Sequence, residues 1–181
     1  MASTQRHTIY IRCRPSELWA ALTEGQSTRK YYYDALVESS FEPGAAIRYL
    51  VESNDEGVED GGAEAMIDAV VGEIESVEPE RSLVHSFRFA DLDDPAITVR
   101  WTLTPNAGPE VMRVDLSHEG LVGETQTWKR IDGCGPVVLS GLKSWLETGV
   151  PIGIAGFGGT SPEGPPTVDP SQDPDEQTDQ R

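Results

Sequence analysis

Residues 83–118 read LVHSFRFADLDDPAITVRWTLTPNAGPEVMRVDLSH, and side-chain alternation in this stretch decides the fold. Successive side chains of a strand point to opposite faces, so residues of one parity line one surface. From Leu83 the apolar set is Leu83, Phe87 and Phe89, and it carries His85 with it. Ile97, Val99, Trp101 and Leu103 share a face opposite Thr98, Arg100, Thr102 and Thr104. Met112, Val114 and Leu116 share one with His118, opposite Arg113, Asp115 and Ser117. Such alternation belongs to strands with one buried and one wet face. DLDDP and PNAGP are short, turn-rich connections, so the neighbouring strands run antiparallel.

Toward the N-terminus the same grammar repeats. EAMIDAVVGEIESV, the turn EPERS and LVHSFRF form one hairpin; ALVESSF, the turn Glu42-Pro43-Gly44 and AAIRYLVES form another, joined to the first by the acidic, glycine-rich NDEGVEDGG, an exposed loop. The chain opens with HTIYIRC, in which Ile9, Ile11 and Cys13 share a face. Pro15 then suits the first turn of a helix, SELWAALTE, with Leu18, Trp19 and Leu22 at helical spacing. Gly25 is expected to end that helix, and STRKYYY to form a second short one ending in Tyr31, Tyr32 and Tyr33. Toward the C-terminus, TQTWKRI predicts a short helix and Gly133-Cys134-Gly135-Pro136 an interruption. In VVLSGLKSWLETG, Val138, Leu142, Trp145 and Leu146 form one amphipathic stripe, stopped by Gly149 and Pro151. The predicted order is a strand, two short helices, about six strands and a long helix: an α+β chain.

The 181 residues suit one domain. Residues 1–150 carry the fold; residues 151–181, rich in Pro, Gly and acids with Phe157 the single aromatic, are expected to be a disordered tail. With 37% hydrophobic and 25% charged residues the composition is that of an ordinary globular protein. No apolar run reaches membrane-spanning length and MASTQRHTIYIRCRP lacks a signal-peptide core, so a cytoplasmic location is expected. The net charge of −17 argues against nucleic acid and anionic membranes as partners, since both recruit basic residues. Cys13 and Cys134 are expected to be reduced and structural, and neither a metal nor a cofactor is expected. The acids Glu52, Asp55, Glu56, Glu59, Asp60 and Glu64 do not match a calcium loop. Ser117 and His118, adjacent on one strand, face opposite ways and cannot form a nucleophile–base pair.

Two histidines, His85 and His118, thus fall on inward faces. One reading gives each a structural hydrogen bond. The other makes them polar anchors on the apolar wall of a small-ligand pocket between sheet and helix. Tyr49 and Trp101, each with a polar edge on an apolar body, suit the same wall, and Tyr31 and Tyr33 suit its mouth. General acid–base work by His85, His118 or a tyrosine is the catalytic alternative.

PSELWAALTE, EPGAAIRY, VGEIESVEPERSLVHSF, ITVRWTLTP, MRVDLSHEGL and GPVVLSGLKSWLETG, in this order, resemble the START-like (SRPBCC) superfamily. Within it they are most similar to bacterial relatives of the domain named after the activator of the heat-shock-protein-90 ATPase. The resemblance covers roughly residues 6–149 and implies a helix-grip fold: a curved antiparallel sheet of six or seven strands wrapped around the C-terminal helix, with a hydrophobic cavity between. It implies no universal catalytic residue. Gly135-Pro136 stands where relatives often have Gly-Trp, and three tyrosines stand where they have a Trp-rich helix end. The expected function is non-catalytic binding of a small hydrophobic molecule, a lipid or an aromatic metabolite. Its wall would be Tyr31, Tyr33, Tyr49, His85, Phe87, Trp101, His118, Leu142 and Trp145. The alternatives are a polyketide cyclase- or aromatase-like enzyme and a chaperone-binding module; a second copy of the chain or a chaperone would be the protein partners.

Overall fold

One-faced strands must close over something apolar, and here they close over the C-terminal helix. In the computed structural model, which describes residues 2–53, 66–106 and 110–153, the order is β1 (Ala2–Arg12), α1 (Pro15–Thr23), α2 (Gly25–Thr28), β2 (Leu36–Glu38), β3 (Ala46–Glu52), β4 (Met66–Glu78), β5 (Ser82–Phe89), β6 (Ile97–Pro105), β7 (Val111–Val122), α3 (Gln126–Ile131) and α4 (Cys134–Thr148). The seven strands form one antiparallel sheet in the order β1-β7-β6-β5-β4-β3-β2, so the first strand lies beside the last. The sheet is curved and α4 sits in its grip, as the helix-grip expectation required. The loop NDEGVEDGG and the tail beyond residue 153 lie outside the described residues.

Parity holds across the three central strands. Leu83, His85, Phe87 and Phe89 on β5, Ile97, Val99, Trp101 and Leu103 on β6, and Met112, Val114, Leu116 and His118 on β7 are all buried. On α4, Val138 and Leu142 are buried and Trp145 and Leu146 pack partly against the core. Gly133, in the left-handed region at φ 79°, separates α3 from α4, and Gly149 at φ 71° ends α4 with its N–H on the Trp145 carbonyl.

The region after α1 departs from expectation. Gly25 begins α2 rather than ending α1, and α2 stops at Thr28, so the three tyrosines lie in turns. The physical reason is Thr28, a buried hydroxyl whose single proton is shared between the Gly25 and Ala35 carbonyls, each 2.9 Å away, and which accepts the Val37 N–H at 3.0 Å. These bonds fold the chain back on itself. Tyr33 and Asp34 then take left-handed φ of 52° and 61° to aim the chain into β2. Gly135-Pro136 falls inside α4, in its first turn, where proline's missing N–H costs nothing.

Candidate functional site

The antiparallel registers place His85 opposite Val99, Val99 opposite His118, and His118 opposite Gln5. Directly opposed residues share a face, so these four side chains run as one row across β5, β6, β7 and β1 on the concave side. His7, two residues along β1 from Gln5, shares that face and stands opposite Leu116, itself opposite Trp101 and then Leu83. All three histidines of the chain therefore gather on one surface. Apart from Gln5, the other members of these rows, Val99, Leu116, Trp101 and Leu83, are apolar in body.

Five buried side-chain atoms have no hydrogen-bond partner among the described residues: Gln5 Oε1, His7 Nε2, His85 Nε2, His118 Nδ1 and Thr127 Oγ1 on α3. Four belong to the row and its neighbour His7. His85 is wholly buried and its Nδ1 lies 2.8 Å from the Ser86 carbonyl. Burial pushes its pKa down to about 4 against that contact's pull upward. Burial likewise takes His118 down to about 4, aided by His7 and His85, whose positive charges would oppose its own. Both imidazoles are neutral at pH 7.

His7 is held from the far side by α4. A Cβ on Gly135 would stand 2.2 Å from His7 Cδ2 and 2.7 Å from its Nε2, so the backbone of the helix's first turn rests on the imidazole ring. This contact accounts for a glycine within a helix, where it otherwise weakens the element.

A second feature is a groove of about 470 Å³ lined by Gln26, Arg29, Lys30, Tyr31, Tyr33 and Asp34 on one side and Pro151, Ile152 and Gly153 on the other. Its cations are engaged: Arg29 pairs with Asp34 and Glu52, and Lys30 Nζ stands 5.8 Å above the Trp145 ring. From this turn an aromatic path leads inward. Tyr32 stacks on Tyr49 at 4.8 Å, and Tyr49 lies 6.0 Å from the His85 ring.

The nine residues proposed from sequence divide accordingly. Tyr31 and Tyr33 border the groove; Tyr31 is also a packing residue, its hydroxyl donating to the Ala21 carbonyl at 2.9 Å. Tyr49, His85, Phe87, Trp101, His118 and Leu142 are core residues on or facing the concave surface, and Trp145 lies under Lys30. Gln5, His7 and Thr127 were missing from that set. A usable signal existed for the first two: the parity of Ile9 and Ile11 extends back to them. Cys134 is hydrogen-bonded to Tyr33, and burial raises its pKa, the reverse of an activated thiol. Cys13 is pushed up to about 11, first by burial. No cluster of three His, Cys, Asp or Glu suited to a metal ion occurs among the described residues.

The family model described as Activator of Hsp90 ATPase homolog 1-like protein matches residues 12–147. No curated protein matches the chain. Among solved structures, protein MLL2253 from Mesorhizobium loti is similar at 20% identity and a TM-score of 0.61, over 80% of this chain and 97% of that one. The Aha1 dimer from Colwellia psychrerythraea is similar at 16% identity and 0.59, over 81% and 98%. An HSP90 activator from Plasmodium falciparum is similar at 15% identity and 0.59, over 82% and 97%. At these identities the likeness is one of fold.

Proposed function

The chain belongs to the family of Activator of Hsp90 ATPase homolog 1-like proteins, and from that premise we propose that it is a non-catalytic receptor for a small, largely apolar molecule held between the curved sheet and α4. The observation that carries this reading is the set of unpartnered polar atoms on an otherwise apolar concave face. A buried polar group without a partner costs about 1–3 kcal/mol. A fold that retains such groups is best understood as built to meet a guest that satisfies them. Phe87, Trp101 and Leu142 supply the apolar contact such a guest requires.

The same geometry argues against proton-transfer catalysis. A general base works best with a pKa near the working pH, whereas His85 and His118 sit near 4 and are weak bases at neutrality. A chaperone contact is supported only by the family's name and by that of the Plasmodium falciparum relative.

The test is a titration of the full chain with fatty acids, sterols and aromatic metabolites, followed by tryptophan emission and thermal melting. Saturable one-site binding with a melting temperature that climbs with ligand concentration is expected, because a ligand that binds only the native state stabilises it. A panel in which no member saturates refutes the proposal.

A further inference from the structure

We infer that the guest is recognised through a neutral hydroxyl, alcoholic or phenolic, and that the same molecule bearing a carboxylate in its place is rejected. This rests on the receptor reading above and adds the polarity of its anchor.

The argument comes from which protons are already committed. His85 Nδ1 lies 2.8 Å from the Ser86 carbonyl, and a carbonyl oxygen can only accept. Nδ1 therefore carries the ring's proton, and Nε2, buried and without a partner, presents a bare lone pair. Gln5 is fixed by the same logic. Its Nε2 donates to Asp132 Oδ1 at 3.5 Å, a carboxylate that offers no proton, so the amide cannot be turned over without losing that bond. Its orphaned Oε1 is again an acceptor. The two ends of the row stand three strand spacings apart, roughly 14 Å, so a single hydroxyl meets one of them, and His85, wholly buried, is the acceptor it meets. His118 Nδ1 stands in the row, and its neutral ring can offer either a lone pair or an N–H, according to its tautomer; His7 Nε2 stands beside it. Thr127 Oγ1 can likewise give or take.

A hydroxyl suits this arrangement because it donates one hydrogen bond and accepts others. A methyl ether cannot donate. A carboxylate would face the lone pair of His85 after losing its hydration, and neither His85 nor His118 carries a compensating charge at neutral pH. Sites built to bond a substrate hydroxyl reject the analogue lacking it far more strongly than apolar pockets reject a missing methylene.

The probes are two matched triples, 2-naphthol with 2-methoxynaphthalene and 2-naphthoate, and 1-decanol with methyl decyl ether and decanoate, titrated into the full chain at pH 7. The expected result is at least a tenfold preference for the hydroxyl member of one triple over both analogues. His85→Leu should abolish that preference, whereas Gln5→Leu, on the half-buried edge strand at the far end of the row, should leave it in place. In the wild-type protein the 15N resonance of His85 Nε2 should move on addition of the hydroxyl compound and not of the ether. If the members of a triple bind equally, or the carboxylate binds best, or the His85 signal stays still because only water holds that nitrogen, the hydroxyl inference is overturned while the receptor reading survives. If neither triple saturates, the hydroxyl inference falls, and the receptor reading falls with it only when the wider panel of fatty acids, sterols and aromatic metabolites also fails to saturate.

Discussion

Lowering the pH from 7 to 5 should cost this protein stability through two residues. His85 and His118 are held near a pKa of about 4, against 6.5 for the unperturbed side chain, chiefly because burial disfavours the charged ring. In this interval the unfolded chain takes up protons that the native chain refuses, so stability falls as pH falls. The contribution is complete above 6.5 and is lost progressively down to about 4. Each pH unit below 6.5 costs about 1.4 kcal/mol per histidine, so arrival at pH 5 costs roughly 2 kcal/mol for each and roughly 3–4 for the pair. The pair falls short of twice one residue because His118 is held down partly by its histidine neighbours. The carboxyls of Glu17, Asp91, Glu119 and Glu147 have lowered pKa values through their hydrogen bonds to arginine or lysine, so their contributions are lost only at lower pH. The assay is urea unfolding across pH 5–7, with a His85→Asn/His118→Asn variant as the reference that carries the rest of the −17 charge unchanged. Wild type should lose stability relative to the variant as the pH drops; identical slopes would refute the assignment of two buried neutral imidazoles.

Three further outcomes follow from close contacts and caps. Gly72→Ala should destabilise by about 3 kcal/mol or more, since its Cβ would stand 1.9 Å from the Ser86 carbonyl oxygen and the β4–β5 pairing would have to part; thermal melting reads this directly. Gly135→Ala should destabilise despite a helix-propensity gain of about 1 kcal/mol, and the loss should reverse in a His7→Ala background, which a double-mutant cycle measures as coupling. Thr28→Val, by leaving the Val37 N–H without its acceptor, should cost about 1–3 kcal/mol in denaturant unfolding.

The sheet was readable because its central strands are largely one-faced, so period-two alternation marks the buried set on β5, β6 and β7, with Val84 and Ser117 as the buried exceptions on the other face. α4 was readable for the matching reason: its stripe faces one surface. The turn holding Tyr31 to Tyr33 was not readable. Three adjacent aromatics carry no period, and what bends the chain there is the Thr28 hydroxyl reaching residues seven and nine positions on, a tertiary fact. The candidate site was legible in halves. Parity exposed His85 and His118, whereas their alignment with Gln5 depends on β1 pairing with β7, a register no local pattern encodes. That pairing also carries a bulge between Ser3 and Thr4.

The outer edge of β1 is sealed by α4: Lys143 Nζ donates to the Tyr10 carbonyl, 133 residues away, and Glu147 Oε1 accepts the Arg12 N–H across 135. During translation the opening strand therefore leaves the ribosome long before either its β7 neighbour or the side chains that close its free rim. Until then it is a sticky ribbon able to recruit other nascent chains. Folding must wait for nearly the whole domain to be made, and the slow step of biogenesis should be this late pairing of β1 with β7 rather than any local hairpin.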